Sequence, residues 1–330
     1  MFNVGDVQIA APVFLAPMSG VTDAPFRKQA DNFGAPAVVT EMVAGAELAR
    51  ETEEFVRRAA PHNGFGPFIV QLAGREPQWM RAGAELADTA GADIIDINMG
   101  CPAKRVTGGQ SGCALMREPG LARELIAATV SGTRKPVTVK MRLGWDDGSL
   151  NASEIARIAE GEGARMITVH GRTRMQMYDG EANWARIAAV VGAVKLPVIA
   201  NGDIEDEASA REALAKSGAA GVMIGRGALG RPWRPAEIAS AIFGSAYTAP
   251  TADQKLQSML DQIEGSVELY GERLGVRVIR KHIAAFVDAW CEDYGLPPIA
   301  GTRTALCRLE SSALLVDQLA TVLTDRRVAA

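Results

Sequence analysis

From residue 13 to residue 225, short runs of Val, Ile, Leu and Ala alternate with longer stretches whose apolar residues recur at helical spacing. Each apolar run stops at glycine or at a polar residue. This is the rhythm of repeated βαβ units. The runs at residues 13–17, 37–41, 67–72, 92–98, 136–142, 165–170, 196–200 and 220–225 are expected to be strands. They are apolar at nearly every position, as parallel strands covered on both faces are. Eight repeats in about 240 residues predict an α/β fold, a (β/α)8 TIM barrel, with an open doubly wound sheet as the competing arrangement.

Beyond Phe243 the alternation ends. Residues 244–251 read as a linker, and only helical patterns follow. The chain is therefore expected to divide into a barrel over residues 1–245 and a small all-helical C-terminal domain over residues 246–330. Thr251 and Gln254 have the spacing of a capping box, and Leu256, Leu260, Ile263 and Val267 form an apolar stripe behind it. In the next helix Ile279, Ile283, Phe286, Val287 and Trp290 share one face, and Arg273, Arg277, Arg280 and Lys281 share another. After the Leu296-Pro297-Pro298 break a third helix is expected over residues 302–323.

Composition narrows the function classes. With 330 residues, 48% apolar and 22% charged, the chain can bury a large core and is neither fibrous nor disordered. No run approaches the ~18 apolar residues of a membrane span, and the first twenty residues lack the pattern of a secretory signal, so a cytoplasmic protein is expected. Cys101, Cys113, Cys291 and Cys307 show no C-x-x-C spacing, and His62, His170 and His282 form no ligand pair, which demotes metal sites and disulfides together. A net charge of −4 argues against a surface that binds nucleic acid everywhere. It leaves room for a local patch, for which Lys104, Arg105, Arg172, Arg174, Arg231 and Arg234 are candidates, with the basic helix face beside them.

A (β/α)8 barrel carries its active site at the carboxyl ends of its strands. There the sequence places Pro17-Met18-Ser19, Glu41, Gln71, Asn98 through Pro102, Lys140 and Arg142, His170, Asn201-Gly202-Asp203, and Gly225-Arg226. Any one of these can simply cap a strand. Donors at the ends of five strands at once require a common partner, and a ligand supplies it. The formal G-x-G-x-x-G at Gly225, Gly227 and Gly230 closes the βα series instead of opening it, which favours a phosphate cradle over a dinucleotide fold. A free cysteine is ordinarily an inert small hydrophobe. Cys101 departs from that reading because it follows the fourth strand at the catalytic face, whereas the other three keep it.

These strand-end motifs resemble those of the tRNA-dihydrouridine synthases. The likeness runs through residues 16–27 (Ala-Pro-Met-Ser-Gly-Val-Thr-Asp-Ala-Pro-Phe-Arg), Gln71-Leu72-Ala73-Gly74, Asp96-Ile97-Asn98-Met99-Gly100-Cys101-Pro102, Lys140-Met141-Arg142, His170-Gly171-Arg172-Thr173, Asn201-Gly202-Asp203 and Gly225-Arg226-Gly227. Arg280-Lys281-His282 resembles the bacterial B-type branch. The resemblance implies FMN at the barrel mouth, NADPH as reductant and a C-terminal helical domain that helps to hold tRNA; separately, no obligate protein partner is evident in the sequence and a monomer is expected. By matched position Pro17, Met18, Ser19, Gln71, Lys140, His170, Asn201, Gly202, Asp203, Gly225 and Arg226 would bind FMN, and Cys101 would be the proton donor. Asn98 and Arg142 would contact uracil or the flavin edge, and Arg277, Arg280 and Lys281 the tRNA. The B-type likeness points to uridine 17 of the D-loop. Cys113 departs from the pattern, standing where alanine is expected. Three other readings stay open: an FMN-dependent barrel oxidoreductase of a free small molecule, like dihydroorotate dehydrogenase; a phosphosugar isomerase; and a non-catalytic RNA-binding protein.

Overall fold

The computed structural model describes residues 1–49, 57, 59–61, 64 and 66–328. It opens with a hairpin that the hydrophobic pattern did not mark. β1 (Phe2–Val4) and β2 (Val7–Ile9) pair antiparallel across a turn in which Gly5 has φ +61°. With three residues each, they are too short to show a period. Val4 and Ile9 are buried with Phe14, Ile69, Ile94, Met166, Ile199 and Met223, so the hairpin floors the barrel.

The eight expected strands all form, as β3 (Val13–Leu15), β4 (Ala37–Val39), β6 (Phe68–Ala73), β7 (Ile94–Met99), β8 (Val137–Arg142), β9 (Met166–His170), β10 (Val198–Asn201) and β11 (Gly221–Ile224). Each is parallel to its neighbours, and the ring closes where Val222, Met223 and Ile224 of β11 pair with Val13, Phe14 and Leu15 of β3. Closure excludes the open sheet. A two-residue strand, β5 (Val43–Ala44), adds to the far end of β6. Side chains of a strand alternate in direction, and the inward positions climb from apolar to polar on β7 (Ile94, Asp96, Asn98) and β9 (Met166, Thr168, His170), while on β8 Thr138, Lys140 and Arg142 are polar throughout. The lower layer is hydrophobic core and the upper layer is a site.

Helices connect the strands: α1 (Ala24–Asn32), α2 (Gly45–Ala49), α3 (Pro77–Thr89), α4 (Lys104–Thr107), α5 (Pro119–Ser131), α6 (Ala152–Gly161), α7 (Ala188–Val191), α8 (Glu207–Ser217) and α9 (Arg234–Phe243). Asp23 caps α1 by accepting from the Phe26 amide at 3.2 Å, and Pro25 stands in the first turn, where its missing N–H costs nothing.

The C-terminal helices are α10 (Ala252–Tyr270), α11 (Glu272–Asp293), α12 (Ala300–Leu306) and α13 (Ser312–Val328). The capping box is present: Thr251 Oγ1 accepts from the Gln254 amide at 3.2 Å and Gln254 Oε1 from the Thr251 amide at 2.9 Å. Ile263 meets the expected α11 face of Ile279, Ile283, Phe286, Val287 and Trp290 in one buried cluster, which Trp233 of the barrel joins. The single helix expected over residues 302–323 is instead two. Ser311 accepts from Leu314 and Leu315 and starts α13 afresh, while the Ser312 amide and hydroxyl bond to Glu272 at 2.7 and 2.9 Å. The break turns Leu315, Leu319 and Leu323 into the same core as Leu306. Among the described residues no helix is long and apolar enough to cross a membrane.

Candidate active site

The upper layer of inward side chains lines a cavity of about 430 Å³ at the carboxyl ends of the strands. Pro17, Met18, Ser19, Gln71, Asn98, Cys101, Lys140, Arg142, His170, Asn201, Gly202, Asp203, Gly225 and Arg226 all border it. Arg277, Arg280 and Lys281 do not.

After β3 the chain turns tightly, with the Met18 amide donating to Thr22 Oγ1 at 2.8 Å. The Gly20 amide donates to the Glu41 carboxylate, and the Gly20 carbonyl accepts from Lys281 Nζ of α11. Glu41, at a strand end in the sequence, is thereby a brace for the first loop. Lys281, expected on a basic surface, is a tie between α11 and that loop.

On the opposite wall Gln71 Nε2 donates to Asp96 at 2.7 Å, Asn98 Nδ2 to Gln71 Oε1 at 2.8 Å, and the Cys101 amide to Asn98 Oδ1 at 2.6 Å. Cys101 is half-buried beside them. Its carbonyl accepts from the Cys113 amide at 3.0 Å, an approach that Gly112 permits, since a Cβ there would lie 2.8 Å from that same oxygen. Cys113 itself is buried outside the cavity, and burial pushes its thiol up to about 12, consistent with a packing residue.

Lys140 Nζ donates to Asn201 Oδ1 at 3.0 Å. Burial, then the neighbouring Arg142 charge, lower its pKa to about 8. Arg142 is almost wholly buried and gives Nε to Gly100 at 2.8 Å and Nη1 to Thr173 and Met177 at 2.8 and 2.7 Å, all backbone carbonyls. It stitches the Cys101 loop to the loop after β9. His170 is pushed well below 6.5 by burial and by the charges of Arg142, Lys140, Arg172 and Arg226, so its ring is neutral at neutral pH. Arg172 Nη1 can only donate, and it lies 3.3 Å from His170 Nε2. That nitrogen therefore accepts, and the ring proton sits on Nδ1.

Asp203 pairs with Arg172 through both oxygens, at 2.8 and 2.6 Å. Burial raises its carboxyl, but the hydrogen bonds from Arg172 and the Ala182 amide outweigh that and hold it below its ordinary value. Gly202 has φ +110°, and a Cβ there would lie 2.5 Å from His170 Cδ2, so this turn admits only glycine.

The loop cations expected to meet a polyanion divide. Arg172 is spent on Asp203, Arg231 on Glu292 and Asp293 at 2.8 and 3.0 Å, and Arg234 on Glu237 at 2.7 Å. Arg174 stacks on Trp145 at 4.9 Å. Lys104 and Arg105 remain exposed, and Arg105 borders the cavity. On α11, Arg273 and Arg277 are exposed, while Arg280 reaches the Leu309 carbonyl at 3.3 Å. His282 is buried against Phe26, 5.0 Å between rings.

Two features were given no role by the sequence. Tyr178 stands 54% exposed at the mouth, with the guanidinium groups of Arg142 and Arg226 each 5.4 Å from its ring. Asp96 opens the motif that ends in Cys101-Pro102, and it anchors the Gln71 amide and, through it, that of Asn98. Among the described residues no cluster could hold a metal ion; His62 lies outside them.

Comparison with known proteins gives consistent results. The family model for dihydrouridine synthase matches residues 14–294. A probable tRNA-dihydrouridine synthase of Rhodobacter capsulatus is 51% identical over 289 residues, 87% of this chain and 89% of that one. One from Rickettsia conorii is 44% identical over 322 residues, 97% and 96% of the two chains. tRNA-dihydrouridine synthase B of Pseudomonas putida is 42% identical over 288 residues, 86% and 85%. The structure of histamine dehydrogenase from a Rhizobium species is similar in fold alone, with a TM-score of 0.52 and 13% identity over 80% of this chain and 50% of that one. With a closed barrel, a cysteine at its mouth and a family match across both barrel and helices, the chain belongs to the dihydrouridine synthase family.

Proposed function

We propose that this chain reduces uridine to 5,6-dihydrouridine in tRNA, with FMN at the barrel mouth and NADPH as reductant. The observation that carries the reading is one cavity bordered by the donor-bearing side chains of Gln71, Asn98, Lys140 and Arg142 together with Cys101. The residues fit FMN. Clustered donors suit the acceptor-rich, reducible edge of a flavin ring. Gly225 borders the cavity with its backbone uncovered by a side chain of its own, and the exposed Arg226 guanidinium beside it suits a phosphate. Pro17, Met18, Ser19, Gln71, Lys140, His170, Asn201, Gly202, Asp203, Gly225 and Arg226 would form the cofactor site. Held there, FMN would supply the hydride chemistry for reduction at C6 of the uracil ring.

The remaining work falls to the chain's own side chains. Negative charge builds toward uracil O4 as C6 is reduced, and the donors of Asn98, Lys140 and Arg142 stabilise it in a site closed to bulk water. His170 contributes a dipole, not a charge, because its ring is neutral. The Cys101 thiol delivers its proton to C5. The base must leave the tRNA stack to reach the cavity, at a cost of a few kcal/mol that favours weakly paired loop nucleotides. Tyr178, an exposed ring at the rim, offers a face on which such a base can stack. In this reading residues 1–245 form the catalytic domain and residues 246–330 a tRNA-holding domain, with Arg277 a phosphate contact and uridine 17 of the D-loop the target.

Cys101→Ala tests the assignment. It is expected to retain FMN and NADPH oxidation while dihydrouridine, measured by mass spectrometry of tRNA digests, falls at least a hundredfold. Turnover at the parental rate would remove Cys101 from the mechanism, and a colourless wild-type protein that takes up no FMN would end the flavin reading.

A further inference from the structure

Asp96 lies in the middle of β7 between Ile95 and Ile97 and is 3% exposed, a costly place for a carboxyl group. It does not border the cavity. Its Oδ2 accepts from Gln71 Nε2 at 2.7 Å and its Oδ1 from Thr138 Oγ1 at 2.6 Å.

The orientation of the side chains above it follows from the cysteine loop downward. The backbone amides of Gly100 and Cys101 can only donate, so the Asn98 group facing them, at 3.2 and 2.6 Å, must be its oxygen. Asn98 Nδ2 then faces Gln71, which must present Oε1 at 2.8 Å. That turns Gln71 Nε2 downward, and the chain can end only on an acceptor. Asp96 is that acceptor. We infer that Asp96 is a positioning residue: through Gln71 and Asn98 it sets which way both amides face and holds the backbone that carries Cys101. Each amide keeps one N–H beyond these bonds, so the wall presents donors, not a mixture, to whatever occupies the cavity. Burial pushes the Asp96 carboxyl up, while Thr138, Gln71 and the charge of Lys140 pull it back toward the ionised form that best accepts both bonds.

The role rests on the proposed reaction, but its test does not depend on it alone. Asp96→Asn keeps the shape but replaces the carboxylate by a neutral acceptor, so the bond from Gln71 loses its charge assistance and the chain that holds the Cys101 loop is left weakly anchored. Thr138→Val removes the other bond to Asp96 and leaves the path to Cys101 intact. The full chain is expected to show iodoacetamide labelling of Cys101, mapped by peptide mass spectrometry without added FMN, several-fold faster in Asp96→Asn and unchanged in Thr138→Val. With FMN, NADPH and tRNA, kcat for dihydrouridine is expected to fall tenfold or more in Asp96→Asn with little change in KM, and to stay within threefold in Thr138→Val. One misplaced hydrogen bond of about 1.4 kcal/mol corresponds to that tenfold loss. Equal effects of the two variants on labelling and kcat would make Asp96 a packing residue, and parental labelling and kcat in Asp96→Asn would overturn the inference outright. A wild-type chain that forms no dihydrouridine would refute the proposed reaction, while the labelling comparison would still decide the role of Asp96.

Discussion

His282 of α11 lies against Phe26 of α1, beside Gln262 and Phe286, at the joint between barrel and C-terminal helices. Burial, reinforced by the charge of Lys281, pushes its imidazole down to about 3 from an ordinary 6.5. A folded pKa below the unfolded one means that the unfolded chain binds the proton first. Stability is then complete above pH 6.5 and is lost progressively as the pH falls toward about 3. The whole interval corresponds to about 5 kcal/mol, of which about 3 kcal/mol is gone by roughly pH 4.5. His282→Phe keeps a ring against Phe26 and removes the titration. Urea unfolding followed by circular dichroism across this range should give a wild-type stability that declines more steeply than the variant's, by about 1.4 kcal/mol per pH unit near pH 5. Parallel curves for the two proteins would refute the assignment of this acid sensitivity to His282.

Further outcomes follow from the same geometry. Because Lys140 titrates at about 8, its charge is present at pH 7 and lost as the pH rises through 8. FMN affinity, measured by fluorescence quenching, is expected to decline through that window in the wild type, and Lys140→Met should be weaker by about tenfold and flat with pH. Arg277→Glu is expected to weaken tRNA binding and reduce the salt slope by about 1, since Arg277 is exposed. Lys281→Ala should leave that slope almost unchanged and instead speed FMN dissociation, because Lys281 holds the Gly20 carbonyl. Asp23 is raised from 3.8 to about 6 by burial, so ionising it opposes folding as the pH rises through 6. Asp23→Asn keeps a capping oxygen and should add up to about 3 kcal/mol at neutral pH and nothing below pH 3.8, read by urea midpoints.

Where the sequence was informative, it was because one physical demand dominated a segment. Strands covered on both faces must be apolar throughout, so β3, β4 and β6 to β11 stood out as runs, and the cavity residues lay at their ends. Where two demands overlapped, the pattern blurred. Lys281 has the spacing of a solvated basic face, but its long side chain reaches back to Gly20, a contact between residues 261 positions apart in the chain. Arg172 and Arg231 look like free cations until their carboxylate partners, distant in sequence, are folded beside them. Tyr178 occupies a loop with no periodicity at all, held by Arg142 from beneath. The split between α12 and α13 was written in Ser311 and Ser312, a start signal masked by the apolar spacing that continues through it.

Ring closure between β3 and β11 sets an order of events during synthesis. Residues 13–15 have no partner on their open side until residues 222–224 have left the ribosome, and the β1–β2 hairpin has no ceiling to press against until the ring is round. Nascent chains ending before residue 221 would carry two bare edges and a lidless hydrophobic interior, the condition under which chaperone capture and strand-swapped aggregates arise. Such a long-range pairing also favours slow, late consolidation over early local folding.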